Sequence, residues 1–357
     1  MILKLNLPLW ETWSGFCYFI TNYVELKGYI DILSKYIFKI KEKGYNMSVL
    51  YFAKVRAASQ IKEIYENPEK ITIIMKLLMK NIDNDICYQR EDINEIDGEE
   101  ITTYEATYAF KYIRKLNKAI YGSIVKKSYM YVNSDIDERT GKLYKEQIDY
   151  VELIDFYFDT TSEVISYYTT SRFGFKEFAN AFRELINIAM ENEEEDYKFD
   201  VSVIRKGLKI EEIKEQLRKL GRLKDLKITI NPPNANEEEL NEILKNGEKR
   251  LEEMKEANVT STSVLFNTES SKGLNIEAEM IDREINKIEE ITSKLSSEEA
   301  ISKNTATVEA HDRSGRRYTT KNNKPITDTI EEADIDNPDR FIEICKDKIY
   351  SALSTFL

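Results

Sequence analysis

The sequence predicts an α+β fold: a mostly helical N-terminal region, then a central antiparallel β-meander with flanking helices, then a C-terminal helical hairpin. Three observations carry this prediction. Apolar residues in the first hundred positions recur largely at helical spacing. After Ala119, β-branched and aromatic residues gather into short alternating runs. Two highly charged stretches toward the C-terminus each keep one apolar stripe. The matching domain division is a helical region over 1–115 and an antiparallel sheet domain with its helices over 116–357.

The chain starts with Met1–Leu7, which alternates like a strand. An aromatic stretch follows (Trp10, Trp13, Phe16, Tyr18, Phe19) and reads as core packing. Ile30, Leu33, Tyr36, Ile37 and Ile40 stripe one face of a helix over 29–43. Further helices are expected through Phe52–Tyr65 and Ile71–Met79. Between Cys87 and Thr103 the chain turns polar and acidic around Asp97-Gly98, so a flexible loop or subdomain boundary is expected there.

Strands are expected at 120–125, 129–132, 150–158 and 163–168, with a polar turn over 135–142 and a hairpin loop over 159–162. A helix closes this unit after Gly174, with Phe178, Ala181, Phe182, Leu185, Ile186 and Ala189 on one stripe. Residues 197–204 alternate as a strand. Ile210–Leu220 is an amphipathic helix ended by Gly221, and Leu223–Ile230 is a strand stopped by Pro232-Pro233. The helical hairpin pairs 238–256 with 275–295. Residues 305–311 and 318–321 form a β-hairpin with an arginine-rich tip, and a last helix spans 338–352.

Composition narrows the chemistry. The 357 residues carry a formal net charge of −12, which argues against indiscriminate coating of nucleic acid. Basic clusters at 111–127, 205–227 and 313–324 nevertheless alternate with acidic runs at 92–100, 191–196 and 237–239, and segregated charge supports a local phosphate-binding face. Cys17, Cys87 and Cys345 form no CxxC pair and His311 is the single histidine, so a structural zinc site and a histidine-dependent triad are both disfavoured. Neither GxxxxGK[ST] nor GxGxxG occurs, and no cofactor is implied. No window approaches the roughly 18 apolar residues of a membrane helix. The first residues lack the cationic region and cleavage site of a secretory leader, so a cytoplasmic protein is expected.

Four features, in order, resemble one family: the Leu153–Phe158 strand with its Asp159 turn; Phe173–Leu185; the passage from Leu220-Gly221-Arg222-Leu223-Lys224-Asp225-Leu226 to Pro232-Pro233-Asn234; and the Val308–Arg317 hairpin. Together they look like an uncharacterised bacterial domain-of-unknown-function family sometimes found among phage-defence genes, over roughly residues 116–325. The resemblance implies a role in phage–host conflict, and it assigns no catalytic residue.

The residues themselves favour a non-enzymatic binding component acting on nucleic acid or on a nucleic-acid-handling protein. The candidate contacts are Lys126, Lys127, Arg222, Lys224, Arg313, Arg316 and Arg317, with Tyr129, Tyr131 and Tyr318 as neighbouring stacking surfaces. The alternative is a divalent-metal nuclease using the meander carboxylates Asp149, Glu152, Asp155, Asp159 and Glu163. A third class is a purely protein-binding role, with acidic faces mimicking phosphates toward a basic partner, and the charged helices allow a homo-oligomer.

Overall fold

The computed structural model describes residues 47–231, 256–291 and 305–354, apart from positions 68, 97, 98, 137 and 258. In chain order they form β1 (Met47–Ala57), α1 (Ile61–Glu66), α2 (Glu69–Asn81), β2 (Cys87–Ile96), β3 (Glu99–Leu116), β4 (Ala119–Ile136) and β5 (Leu143–Asp159). Next come β6 (Val164–Tyr167), α3 (Phe175–Ala189), β7 (Phe199–Val203), α4 (Ile210–Leu220), β8 (Leu223–Ile230), β9 (Thr262–Asn267) and α5 (Glu279–Ile291). The chain ends through β10 (Ala306–Asp312), β11 (Arg317–Thr319), β12 (Thr327–Glu331), α6 (Glu332–Ile335) and α7 (Pro338–Ser354). No helix among the described residues is long and apolar enough to cross a membrane.

The predicted fold class needs correction. Strand makes up 43 % of the described residues and helix 30 %, and residues 47–115, the described part of the expected helical region, are mostly strand. The aromatic stretch of 10–19 and the helix over 29–43 lie outside the described residues. Where a helix was expected through Phe52–Tyr65, β1 runs to Ala57 and only the six-residue α1 follows. The reason is burial on both faces. Leu50 and Phe52 point into one apolar cluster, while Ala53, Val55 and Ala57 point into the other. A strand covered on both sides loses polar alternation and reads as a continuous apolar run.

The acidic stretch expected as a loop is the β2–β3 hairpin, paired from Cys87↔Ala109 to Ile96↔Glu99. Acidic letters hid this ladder in the sequence, because it is made by backbone atoms. The first arm of the expected helical hairpin, 238–256, lies almost wholly outside the described residues. The second arm is α5, which lays Ile281, Ile285 and Ile288 in an apolar cluster with the small sheet and α4.

Two antiparallel sheets result. The larger runs β12-β1-β6-β5-β4-β3-β2, with β7 also on β1. The position between 115 and 116 falls at the end of β3, whose pairing continues directly into β4. One face packs on α2 and α3, through Ile71, Ile74, Met75 and Leu78 from α2 and Phe178, Phe182, Leu185 and Ile186 from α3. The other face packs on α7 through Phe341, Cys345 and Ile349. Each fully buried aromatic in these layers contributes about 1.5–3 kcal/mol relative to exposure. Beyond the helices, β4 and β5 extend as a paired ribbon in which Leu143–Asp149 are all exposed.

The smaller sheet runs β11-β10-β8-β9. Alternation sends Leu226, Ile228, Ile230, Val308 and Ala310 to α4 and α5. Helix α4 ends at Gly221, whose φ of 86° lies in the left-handed region that glycine enters without a Cβ clash. The other face of this sheet is polar, with Thr229 opposite both Thr307 and Ser263, and Glu309 opposite Thr319. The chain passes from the large sheet to the small one near 204–206 and returns near 323–326. These two passages are bonded to each other, with the Lys206 amide donating to the Lys324 carbonyl at 2.9 Å and that of Ile326 to Ile204 at 3.0 Å.

Candidate functional site

Helix α3 has two chemical faces. While its phenylalanines enter the core, Lys176, Asn180 and Arg183 follow at steps of four and three residues on the opposite stripe. That stripe forms one wall of a cleft of about 650 Å³. Arg56 of β1 and Asp200 and Ser202 of β7 add the large-sheet side, and Thr229, Thr307, Arg317 and Thr319 of the small sheet's polar face form the wall across from them. Arg205 lies at the junction, with Asn231, Lys321 and Asn322 at the rim.

Among the described residues, six cations line this cleft (Arg56, Lys176, Arg183, Arg205, Arg317 and Lys321) against one lining carboxylate, Asp200. Arg56 lies 3.6 Å from Asp200, Arg183 bonds its own neighbour Glu184 at 2.6 Å, and Arg317 and Lys321 each lie 3.5 Å from Glu309. Lys176 has no carboxylate partner among the described residues. Arg205 is only 7 % exposed, and its Nη1 donates to the Asn323 carbonyl at 2.9 Å. Burial pushes the Arg205 guanidinium below its ordinary pKa against the opposing influence of Tyr167, and no carboxylate among the described residues pairs with it. A concentration of donors and positive charge in a polar groove is suited to phosphate oxygens.

A smaller pocket of about 210 Å³ shares Asn180 and Arg183 with the cleft and is also lined by Tyr88, Arg90, Tyr108 and Glu177. Glu177 Oε1 accepts from Tyr108 Oη at 2.5 Å, Tyr104 Oη at 2.9 Å and Lys126 Nζ at 2.8 Å. Burial raises the Glu177 pKa, but these donors outweigh it and the net shift is downward. Lys126 shows the mirror image: burial lowers its pKa, and bonds to Glu177, Tyr150 and Tyr104 raise it overall.

The seven expected contact residues fall in three places. Lys126 is 3 % exposed and spends its ammonium on Glu177 and on the Arg172 carbonyl, 2.6 Å away. Its neighbour Lys127 points to solvent on β4. Arg222, Lys224, Arg313 and Arg316 gather at one end of the small sheet. There Arg313 binds the Ser270 carbonyl at 3.0 Å and that of Thr268 at 3.3 Å, and Arg316 binds Asp312 at 2.6 Å and the Leu220 carbonyl. Burial works to raise the Asp312 pKa, but bonds from Ser314 and Arg316 hold it down to about 2. Arg317 alone of the seven lines the cleft.

The meander carboxylates are dispersed among separate partners. Asp155 accepts from Ser123 at 2.5 Å, Asp159 accepts from the Thr161 amide at 2.8 Å, and Glu163 pairs with Lys54 at 3.2 Å. Glu152 lies 3.9 Å from Arg172, and Asp149 is exposed on the ribbon. No group of three or more His, Cys, Asp or Glu side chains placed to share a metal ion occurs among the described residues. Cys345 is buried, and burial pushes its thiol up to about 12, whereas Cys87 is exposed.

Sequence reasoning passed over Arg56, Lys176 and Arg183. The signal for the last two was the polar stripe Lys176, Asn180 and Arg183, opposite the phenylalanines. Arg56 gave no local signal, since only pairing with β7 brings it to the cleft.

Comparison with curated proteins returns no match. A family model described as Domain of unknown function (DUF4747) matches residues 104–330, a span that takes in every cleft-lining residue except Arg56. With well over half of its length inside that match, the chain belongs to the DUF4747 family.

Proposed function

We propose that this protein is a non-enzymatic component of phage–host conflict that binds nucleic acid through its phosphate backbone along the basic cleft. The observation that carries the binding reading is the set of six cations against one lining carboxylate among the described residues, in a chain whose formal net charge is −12. The setting rests on the family resemblance over 116–325 described above. A polar groove of about 650 Å³ suits a short stretch of single strand, whose backbone can follow it.

The test is fluorescence anisotropy with labelled single- and double-stranded RNA and DNA across a salt series, run with and without magnesium or manganese and checked for cleavage. Single strands are expected to bind best. The combined variant Lys176→Ala, Arg183→Ala, Lys321→Ala is expected to weaken binding by on the order of a hundredfold at low salt. It should also flatten the salt dependence, by about 0.7 in slope per lost phosphate contact. Absence of binding by the wild type, or binding indifferent to the variant, overturns the reading. Metal-dependent cleavage would replace it with the nuclease.

A further inference from the structure

Arg205 stands apart from the other cleft cations. It is the one held more than nine-tenths out of water, and among the described residues the hydrogen-bond partner of its side chain is a neutral carbonyl, Asn323 O at 2.9 Å. A guanidinium offers five N–H donors in a planar fork, and burying one without an opposing charge is unfavourable unless something supplies that charge. The pairing of Arg205 with Pro325 and the Lys206–Lys324 bond fix the backbone on both sides of the seam, so the side chain does not swing out with a loop. Thr307 and Thr319, also buried, line the same cleft, with Thr319 Oγ1 accepting from the Lys321 amide at 3.2 Å, and Lys321 adds a second cation, 3.5 Å from Glu309.

We infer that Arg205, with Thr307, Thr319 and Lys321, forms a seat for one phosphate group at the junction of the two sheets. The phosphate neutralises the buried guanidinium, accepts its forked donors, and accepts from the threonine hydroxyls. Two sources share this chemistry, the internal phosphodiester of a strand and the terminal monoester of a free nucleotide. The seat deepens the nucleic-acid reading, yet it stands or falls by its own measurement.

The full-length protein is titrated with orthophosphate, adenosine 5′-monophosphate, the dinucleoside monophosphate ApA and adenosine, with melting temperature and calorimetric binding as readouts. Phosphate-bearing probes at about ten times Kd are expected to raise Tm by a few degrees, and adenosine is not. Binding of ApA as tight as that of the monophosphate assigns the seat to a strand interior. Binding of the monophosphate alone assigns it to a terminal phosphate. Arg205→Met is expected to weaken phosphate binding at least tenfold while leaving the ligand-free Tm unchanged or higher, because an uncompensated buried charge has been removed. Thr307→Val, which keeps the shape, is expected to weaken binding several-fold. A ligand-free Tm that falls in Arg205→Met with the phosphate response intact makes Arg205 a structural cap and overturns the seat. So does adenosine binding as well as its monophosphate. If single strands bind but no phosphate probe does, the seat fails and the cleft reading survives. If phosphate binds and no strand does, the reverse holds.

Discussion

At the scale of single residues, the buried pair Lys126–Glu177 shows how environment decides the role of a charge. Lys126 is enclosed by the rings of Tyr104, Tyr150 and Phe173, each between 5.5 and 5.8 Å from its ammonium. Such an enclosure favours a cation only while a counter-charge remains. Glu177→Ala is therefore expected to cost about 3 kcal/mol in urea unfolding, since it strands the lysine. Lys126→Met combined with Glu177→Leu is expected to cost less than that single change, and a double-variant loss equal to the sum of the singles would refute the pairing. Acidity gives an independent reading. The folded-state pKa of Glu177 lies below its ordinary 4.5, so its contribution is complete above that value and disappears as pH falls through the lower folded pKa. The stability gap between wild type and Glu177→Gln should close below about pH 4.5, and taking the difference cancels the other acids, Asp155 and Asp312 included. A gap that persists at acid pH would assign the effect to packing.

At the scale of elements, α3 is the hinge between core and cleft. Phe182 lies 5.2 Å from Phe156 and 5.8 Å from Phe158 of β5, and 5.5 Å from Phe110 of β3, ring centroid to centroid. Edge-on contacts of this kind add to the area buried. Phe182→Ala is expected to destabilise by about 3–5 kcal/mol, measured by chemical denaturation, through lost contacts and a cavity that close packing cannot refill. Phe182→Leu should recover more than half of that. Because Lys176 and Arg183 ride on the same helix, loosening its apolar face should also weaken the binding proposed for the cleft. An Ala variant of near-native stability would show that the helix is anchored elsewhere.

At the scale of the molecule, the cleft exists because two sheets meet at a seam. Its walls come from both, so a strand bound there touches both at once. Hydrogen exchange with and without a bound oligonucleotide should show slowing in residues 199–206 and 305–326 together, including the amides of Lys206 and Ile326. Slowing limited to one sheet would place the ligand outside the cleft.

Elements with one covered face were legible in the sequence. The α4 helix over 210–220, the β8 strand over 223–230 and the apolar stripe of α3 each show a clean local period, because a single buried face imposes 3.6- or two-residue spacing on its own segment. The strand nature of β1 was hidden by burial on both faces, and that of the β2–β3 hairpin by its acidic side chains, which mask a ladder made by backbone atoms. The binding residues were legible only in part. Lys126 and Lys127 are the same letter side by side, yet one step along a strand turns the first into the interior and the second to water. The cations of the cleft come from β1, α3, the 204–206 passage, β11 and the turn after it, segments whose spacing in sequence records nothing of their meeting. Local periodicity therefore determined which segments are amphipathic. Long-range pairing of strands decided which charges share a cleft, because that proximity depends on register and sheet order rather than on any neighbouring residue.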